Sequence, residues 1–251
     1  MTARMPLNIV ESGSGDRCAV LLHGMMGSAE SWWRIAPRLV DAGYRVLALD
    51  LPGHGLSPRD PTITLDGAIE AVVETLRQVT TPPPIVAIGH SYGGRLLAAA
   101  ADRIKPELSI YVDAPFSVAG GADREAVLAG YETARRRRTP AWLRTTRPHY
   151  RETDAVVEGR AAARFDPATS ASIAASTGGA WLPTPGSIVV RAEPSEFVSA
   201  RDAADLEARG VRVRSIPSAS HSVWYSHFDE FVAVLPEVFT PPAVPDVGGP
   251  E

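Results

Sequence analysis

Short apolar runs alternate with amphipathic stretches along most of the chain. The runs are a few residues long, rich in Val, Leu, Ile and Ala, and bounded by Gly, Asp or Pro, which is typical of strands. They cover residues 18–22, 45–49, 85–88, 110–112, 187–191 and 211–216. The amphipathic stretches predict helices at residues 31–41, 65–79, 94–103 and 199–208. Because the strands alternate with helices, the sequence predicts an α/β fold: a mostly parallel twisted sheet with helices on both faces.

This alternation is interrupted between residues 114 and 185. The stretch is rich in Ala, Arg and Thr and has helical periodicity without a strong strand pattern. We therefore expect a helical lid over residues 114–185, inserted between a first core part at 1–113 and a second core part at 186–239. Residues 240–251 are dominated by Pro, Gly and Val, and predict a disordered tail.

Composition and charge limit the class of protein. The 251 residues carry a net charge of -4 with acids and bases interspersed, which argues against a nucleic-acid partner. No run approaches the roughly 20 apolar residues that cross a bilayer, and the start lacks the apolar stretch of a secretory signal. We expect a cytoplasmic protein that does not enter a membrane. The single cysteine, Cys18, excludes an internal disulfide or a thiolate metal cluster and is interpreted as a packing residue.

A candidate nucleophile lies between one predicted strand and one predicted helix. Residues 89–93 read Gly-His-Ser-Tyr-Gly, follow the strand at 85–88 and precede the helix at 94–103. A Gly-x-Ser-x-Gly elbow needs this context, because the strained turn lifts the serine hydroxyl above the sheet edge. Ser91 is therefore the candidate nucleophile.

The nucleophile needs a base and an oxyanion hole. A serine hydroxyl is a poor nucleophile at neutral pH, and His221, in the loop after the strand at 211–216, is the best-placed base. The oxyanion donors predicted for this arrangement are the backbone N–H groups of Tyr92 and Met25. Met25 and Met26 lie between two glycines after the first predicted strand, and their side chains are expected to line the pocket.

Four motifs together resemble the α/β-hydrolase superfamily in their order and spacing. They are residues 22–25 (LHGM), 50–57 (DLPGHGLS), 89–94 (GHSYGG) and 221–223 (HSV). The resemblance spans about residues 7–239. It implies a serine hydrolase, and it implies that residues 50–57 form a structural turn without a catalytic role. Substrate is not implied, because many chemistries share this scaffold.

The acid of the expected triad departs from the family pattern. Many family members have an aspartate after the strand that follows the lid, and Ser195 occupies that place here. Asp113 is one replacement, because it ends the strand at 110–112, where some members of the superfamily place their acid. Glu196 is the other, one residue beyond the usual place and with a longer side chain. The third alternative is that no carboxylate completes the triad.

Substrate-binding candidates are the large side chains of the insertion and of the loop after His221. With Met26, the candidates are Phe116, Trp142, Trp181 and Trp224, and Tyr131 is a further aromatic residue of the insertion. They predict an apolar or aromatic acyl pocket, although lid core explains them equally well. Arginines occupy positions 135–138; a solvated helix face is the simpler interpretation, and binding of an anionic substrate group is the alternative.

The motifs favour a hydrolase that cleaves a carboxylic ester, a lactone or a thioester of a small molecule through an acyl-enzyme. No cofactor or metal is expected. The alternatives are an acyltransferase, a carbon–carbon hydrolase or a lyase on the same scaffold, and a ligand-binding homologue without catalysis.

Overall fold

Strands and helices alternate through residues 6–80 and 83–240, the part of the chain that the computed structural model describes. The strands are β1 (Ile9–Ser12), β2 (Arg17–Leu22), β3 (Tyr44–Leu49), β4 (Val86–His90), β5 (Leu108–Val112), β6 (Ser117–Gly120), β7 (Thr177–Ala180), β8 (Ile188–Glu193) and β9 (Arg212–Pro217). The helices are α1 (Ile35–Asp41), α2 (Leu65–Val79), α3 (Tyr92–Ile104), α4 (Arg124–Arg137), α5 (Pro140–Thr146), α6 (Glu152–Arg164), α7 (Pro167–Ala175), α8 (Ala200–Ala208), α9 (Val223–Ser226), α10 (Phe228–Ala233) and α11 (Pro236–Phe239). Except for Thr240, the predicted tail lies outside the described residues.

Seven strands form one sheet in the order β1-β3-β2-β4-β5-β8-β9. All neighbouring pairs are parallel except β1 with β3. The predicted fold class, a mostly parallel sheet with helices around it, is confirmed. The sequence pattern missed β1 because this four-residue edge strand is half exposed and has no clear alternation.

Each inner strand contributes to two cores. In β2, Cys18, Val20 and Leu22 pack on one side of the sheet, while Ala19 and Leu21 pack on the other. Successive side chains of a strand point to opposite faces, so a continuous apolar run is needed where both faces are covered. The first core is closed by α2, α3 and α8, and the second by α1, α9, α10 and α11. Cys18 is a buried free thiol in the first core, as expected.

One predicted helix is shorter than its pattern indicated. The helix expected at 31–41 is a 3-10 helix, Ala29–Trp32, followed by α1, which begins at Ile35. Pro37 lies in the first turn of α1, where its missing N–H is tolerated, whereas a helix continuous from Ser31 would place it in the interior. Within residues 6–80 and 83–240, no helix combines the length and the apolar character that a membrane crossing needs.

The insertion between β5 and β8 contains α4 to α7, as its helical periodicity predicted. It also contains a small antiparallel pair, in which Val118 of β6 faces Gly179 of β7. The sequence has no strong strand pattern here, and each of the two strands is only four residues long. The pair has no strand pattern in the sequence because it is rich in glycine. A Cβ at Gly178 would lie 2.0 Å from the carbonyl oxygen of Val118, so the two strands can approach this closely only because Gly178 has no side chain.

Candidate active site

Ser91 occupies a strained turn between β4 and α3. Its backbone has φ 50° and ψ -114°, a conformation that residues with a Cβ rarely adopt. The turn is possible because its glycines allow very close packing: a Cβ at Gly93 would lie 2.3 Å from the carbonyl oxygen of Leu22. The Ser91 N–H donates to the carbonyl of Val112 at 3.0 Å, which anchors the turn to β5. The side chain lines a cavity at the carboxyl edge of the sheet.

His221 and Asp113 meet beside this turn. The His221 Nδ1 donates to Asp113 Oδ2 at 2.7 Å. Asp113 directly follows β5, is 1% exposed, and has φ 43°, which turns its carboxylate toward the loop after β9. Glu196, the rival acid, is exposed and lines the cavity, and its side chain forms no hydrogen bond or ion pair within the described residues. The structure thus brings Asp113, and not Glu196, to the histidine.

Ser195 explains how the carboxylate is held although the usual aspartate is missing. Its hydroxyl donates to Asp113 Oδ1 at 2.6 Å and accepts from the N–H groups of Phe197 and Val198. The Ala192 N–H also donates to Asp113 Oδ1, at 3.2 Å. Among the described residues, three donors, including His221, therefore hold the buried carboxylate in place.

Ser91 and His221 line the same cavity without a hydrogen bond between their side chains in the described structure. Catalytic hydrogen bonds are often long before substrate binds, so this spacing does not remove His221 as a base. His90 positions the histidine loop: its Nε2 donates to the carbonyl of His221 at 3.0 Å, and the two rings are 4.6 Å apart.

The loop after β2 brings a second backbone donor to the elbow. The N–H of Gly27 and the Nδ1 of His23 both donate to the carbonyl of Gly24, at 3.0 and 2.8 Å. In the described residues, the N–H groups of Met25 and Tyr92 have no acceptor, so two backbone donors are available for a ligand oxygen. A pair of free N–H groups next to a serine is the arrangement that an oxyanion hole requires.

Gly24 is the position where this loop comes closest to the nucleophile. A Cβ there would lie 2.6 Å from His90 Nδ1 and 3.3 Å from Ser91 Cβ. Gly24→Ala should displace the loop with the Met25 N–H and lower kcat for ester hydrolysis by about 100-fold, the effect of losing one oxyanion donor. Gly130→Ala, at a glycine of α4 that has open space around it and no positive φ, is the control for stability. Gly24→Ala with unchanged kcat would show that this loop does not hold the oxyanion.

Two histidines behind the site make stability depend on pH. His23 and His54 are fully buried, and burial lowers the pKa of His23 to about 4 and that of His54 to about 3. The His23 Nε2 must stay unprotonated, because it accepts the Leu51 N–H at 3.0 Å. The unfolded chain takes up protons below the ordinary pKa of 6.5 while the folded chain does not, so stability is complete above pH 6.5 and falls toward pH 4.

The expected loss for His23 alone is about 2 kcal/mol in the free energy of unfolding between pH 7 and pH 5. Denaturant unfolding at the two pH values measures it. His23→Gln removes the titrating group, so the difference between the two pH values should become smaller in this variant. An equal loss in both proteins would contradict the account.

The cavity at Ser91 has a volume of about 620 Å³. Of the side chains predicted to line the pocket, the structure brings Met25 and Trp224 to its wall. Met26 is buried and does not line the cavity, and Phe116 packs edge-on against Tyr111. Trp142 and Trp181 line neither this cavity nor the smaller one beside it; Trp142 is 37% exposed, and Trp181 packs at Gly179. For Phe116 and Trp181, packing against the first core is the better account.

Several polar side chains of the insertion line the cavity instead. Arg138 is half-buried and pairs with Glu158 at 3.2 Å, and Arg147 and His149 lie on the same wall. The interpretation of the arginine run as a solvated face is therefore wrong for Arg138, which lies just beyond the end of α4. Burial and the nearby Arg147 charge lower the pKa of His149. Sequence reasoning missed these residues because helical periodicity does not show which helix end reaches the site.

Comparison with known proteins agrees with this architecture. The Alpha/beta hydrolase family profile matches residues 19–234, so the chain belongs to that family. Methylesterase 8 of Arabidopsis thaliana is 35% identical over 95 residues, which is 37% of this chain and 35% of the relative. The alpha-hydroxynitrile lyase of the same plant is 32% identical over 95 residues, 37% of each chain. The match thus spans about a third of the length of these relatives.

A solved structure extends the likeness to almost the whole fold. The N-formylmaleamic acid deformylase of Pseudomonas putida superposes with a TM-score of 0.72 at 20% identity, over 90% of this chain and 94% of the other. At this identity the likeness shows a shared fold.

Proposed function

We propose that the chain is a serine hydrolase that cleaves a carboxylic ester, a lactone or a thioester of a small molecule through an acyl-enzyme. The observation that supports it most is the 2.7 Å hydrogen bond from His221 to the buried Asp113, beside a serine on a strained turn. Serine acyl transfer requires a base that a carboxylate holds next to the nucleophilic serine. The methylesterase relatives favour an ester among the three substrate classes.

Each proposed residue has one task in the reaction. The Ser91 oxygen attacks the acyl carbon as His221 Nε2 takes the hydroxyl proton, and the N–H groups of Met25 and Tyr92 hold the oxyanion. His221 then gives the proton to the leaving alcohol as the carbon–oxygen bond breaks. A water molecule, deprotonated by His221, attacks the acyl-enzyme, and His221 returns that proton to the Ser91 oxygen as the carboxylic acid is released. Asp113 holds the ring orientation and stabilises the imidazolium during both steps.

The cavity supports a small-molecule substrate. Its volume of about 620 Å³ lies within the range of pockets that bind small ligands. Its wall combines Trp224 and Phe197 with charged groups of the insertion, so the expected apolar or aromatic acyl pocket is only partly supported.

A lyase is the second candidate, because the match to the alpha-hydroxynitrile lyase covers 95 residues, as many as the match to Methylesterase 8. The two activities are separated by their substrates and products. Nitrophenyl esters of graded chain length, lactones, acyl thioesters and a cyanohydrin are assayed side by side, with Ser91→Ala as the control for background hydrolysis. An added alcohol acceptor reports acyl transfer.

The expected result is release of the free acid from at least one ester, lactone or thioester, lost in Ser91→Ala. Cyanide release from the cyanohydrin without ester cleavage would replace hydrolysis by the lyase reaction. A predominant transfer of the acyl group to the alcohol would make the chain an acyltransferase. No turnover of any substrate would favour the ligand-binding alternative.

A further inference from the structure

A second cavity of about 130 Å³ lies next to the cavity of Ser91, and Met25 lines both. Its wall includes Tyr92 and Arg95 of α3, Tyr131 of α4 and Ser170 of α7. Tyr92 directly follows the candidate nucleophile, so this cavity begins one residue from the reacting centre. Its volume equals that of about four water molecules in the liquid.

In the part of the chain that the structure describes, Arg95 has no counter-charge at this cavity. Arg95 is half-buried, but its Nε is completely buried and has no hydrogen-bond partner among the described residues. Within residues 6–80 and 83–240, no carboxylate forms an ion pair with it, and its Cζ lies 5.6 Å from the centre of the Tyr92 ring. Arg191, an arginine whose whole side chain is buried, is bonded to Ser215, to a backbone carbonyl and to Glu193. A guanidinium stays charged at all ordinary pH values, and burying its charge without a partner is costly.

Two hydroxyl groups at the same cavity are also without partners. Tyr92 Oη and Ser170 Oγ are buried, and neither has a hydrogen-bond partner in the described structure. Burial raises the pKa of Tyr92, so its hydroxyl remains a donor. Buried polar groups are nearly always paired in folded proteins. Unpaired donors from α3 and α7 around one cavity therefore indicate a ligand with acceptor oxygens and a negative charge.

We propose that this cavity binds a carboxylate at the far end of the substrate's acyl group, with Arg95, Tyr92 and Ser170 as its donors. The substrate is then a half-ester of a short dicarboxylic acid. Met25 lines both cavities, and its side chain is unbranched and flexible, so it can move aside for an acyl group that extends from Ser91 into the second cavity. The planar guanidinium matches a carboxylate in two parallel hydrogen bonds. This inference rests on the proposed hydrolysis at Ser91.

The selective test compares two esters that differ only in the terminal carboxylate: the 4-nitrophenyl half-ester of glutaric acid and 4-nitrophenyl pentanoate. The ratio of their kcat/KM values should favour the half-ester in the unaltered protein. Arg95→Gln should reduce this ratio by about 10- to 100-fold, the range for a lost hydrogen bond to a charged group. Arg103→Gln is the matched control, since Arg103 lies on the same helix and pairs with Glu70 at the surface. Its ratio should not change.

If circular dichroism shows that Arg95→Gln does not fold, Arg95→Lys is measured in its place. Lysine keeps the charge but not the planar pair of donors, so the ratio should lie between those of the unaltered protein and a variant without charge. A ratio that neither substitution changes would overturn the proposal and leave Arg95 as a residue that packs on Tyr92.

Calorimetric titration of glutarate into Ser91→Ala separates this proposal from the proposed function. Glutarate should bind to Ser91→Ala, and Arg95→Gln in the same protein should remove the binding. If glutarate binds in this way while no ester is hydrolysed, the carboxylate site stands and the hydrolase proposal fails. If esters are hydrolysed while Arg95→Gln changes neither the ratio nor glutarate binding, the carboxylate site fails and hydrolysis stands.

Discussion

Replacing Asp113 with asparagine is expected to lower kcat for ester hydrolysis by about four orders of magnitude while the fold is retained. The Asp113 carboxylate accepts from His221 Nδ1 at 2.7 Å, which fixes the proton on that nitrogen and leaves Nε2 free to act as a base. Asparagine is close to aspartate in shape, but its neutral amide neither selects this tautomer nor stabilises the imidazolium. Steady-state kinetics on the best ester measures the loss, and thermal unfolding confirms that the variant folds.

Glu196→Gln is the matched control, because Glu196 was the rival acid and lines the same cavity. It should keep kcat within a few-fold of the unaltered protein, since its carboxylate is exposed and touches no part of the triad. Near-normal turnover in Asp113→Asn together with a large loss in Glu196→Gln would reverse the assignment of the acid.

Removing the Ser91 hydroxyl should have the largest effect of any single substitution. In Ser91→Ala we expect kcat to fall by about a million-fold, to the residual rate that binding and the oxyanion donors supply. This substitution removes only the side-chain oxygen, because alanine retains the Cβ of serine and can occupy the same strained turn at φ 50°. Cleavage of the ester by Ser91→Ala at an undiminished rate would show that another group attacks the substrate.

Much of the fold could be predicted because its signals are local. The buried run at β2 and the amphipathic α2 are set by apolar spacing, and α2 has the predicted bounds, Leu65–Val79. The edge strand β1 and the pair formed by β6 and β7 could not be predicted. Their pairing depends on residues that are distant in sequence, and their own residues are exposed or glycine-rich.

The candidate site was predictable where a motif fixes the backbone. Ser91 follows from a turn between two glycines, and the structure places it beside the loop of Met25 as the pattern indicated. The choice between Asp113 and Glu196 depended on a side-chain contact across 108 residues, which sequence spacing does not contain. Ser195 was interpreted only as a missing acid, although its hydroxyl holds Asp113.

The substrate-facing residues were the least predictable. Large aromatic side chains were expected at the pocket, yet Phe116 and Trp181 pack against the first core, and Arg138 lines the cavity instead. Composition shows which residues can line a pocket, while the direction of each helix in the insertion decides which ones do. A binding role for Arg95 could not be predicted, because only the three-dimensional structure shows that its buried Nε has no hydrogen-bond partner among the described residues.

Labelling with a fluorophosphonate probe, followed by mass spectrometry of the peptides, tests the central claim most directly. The account predicts one adduct, on Ser91, which forms rapidly in the unaltered protein, at the same rate in Glu196→Gln and far more slowly in Asp113→Asn. An adduct on another residue, or none in the folded protein, would contradict the claim that Ser91 is a nucleophile activated by His221 and Asp113.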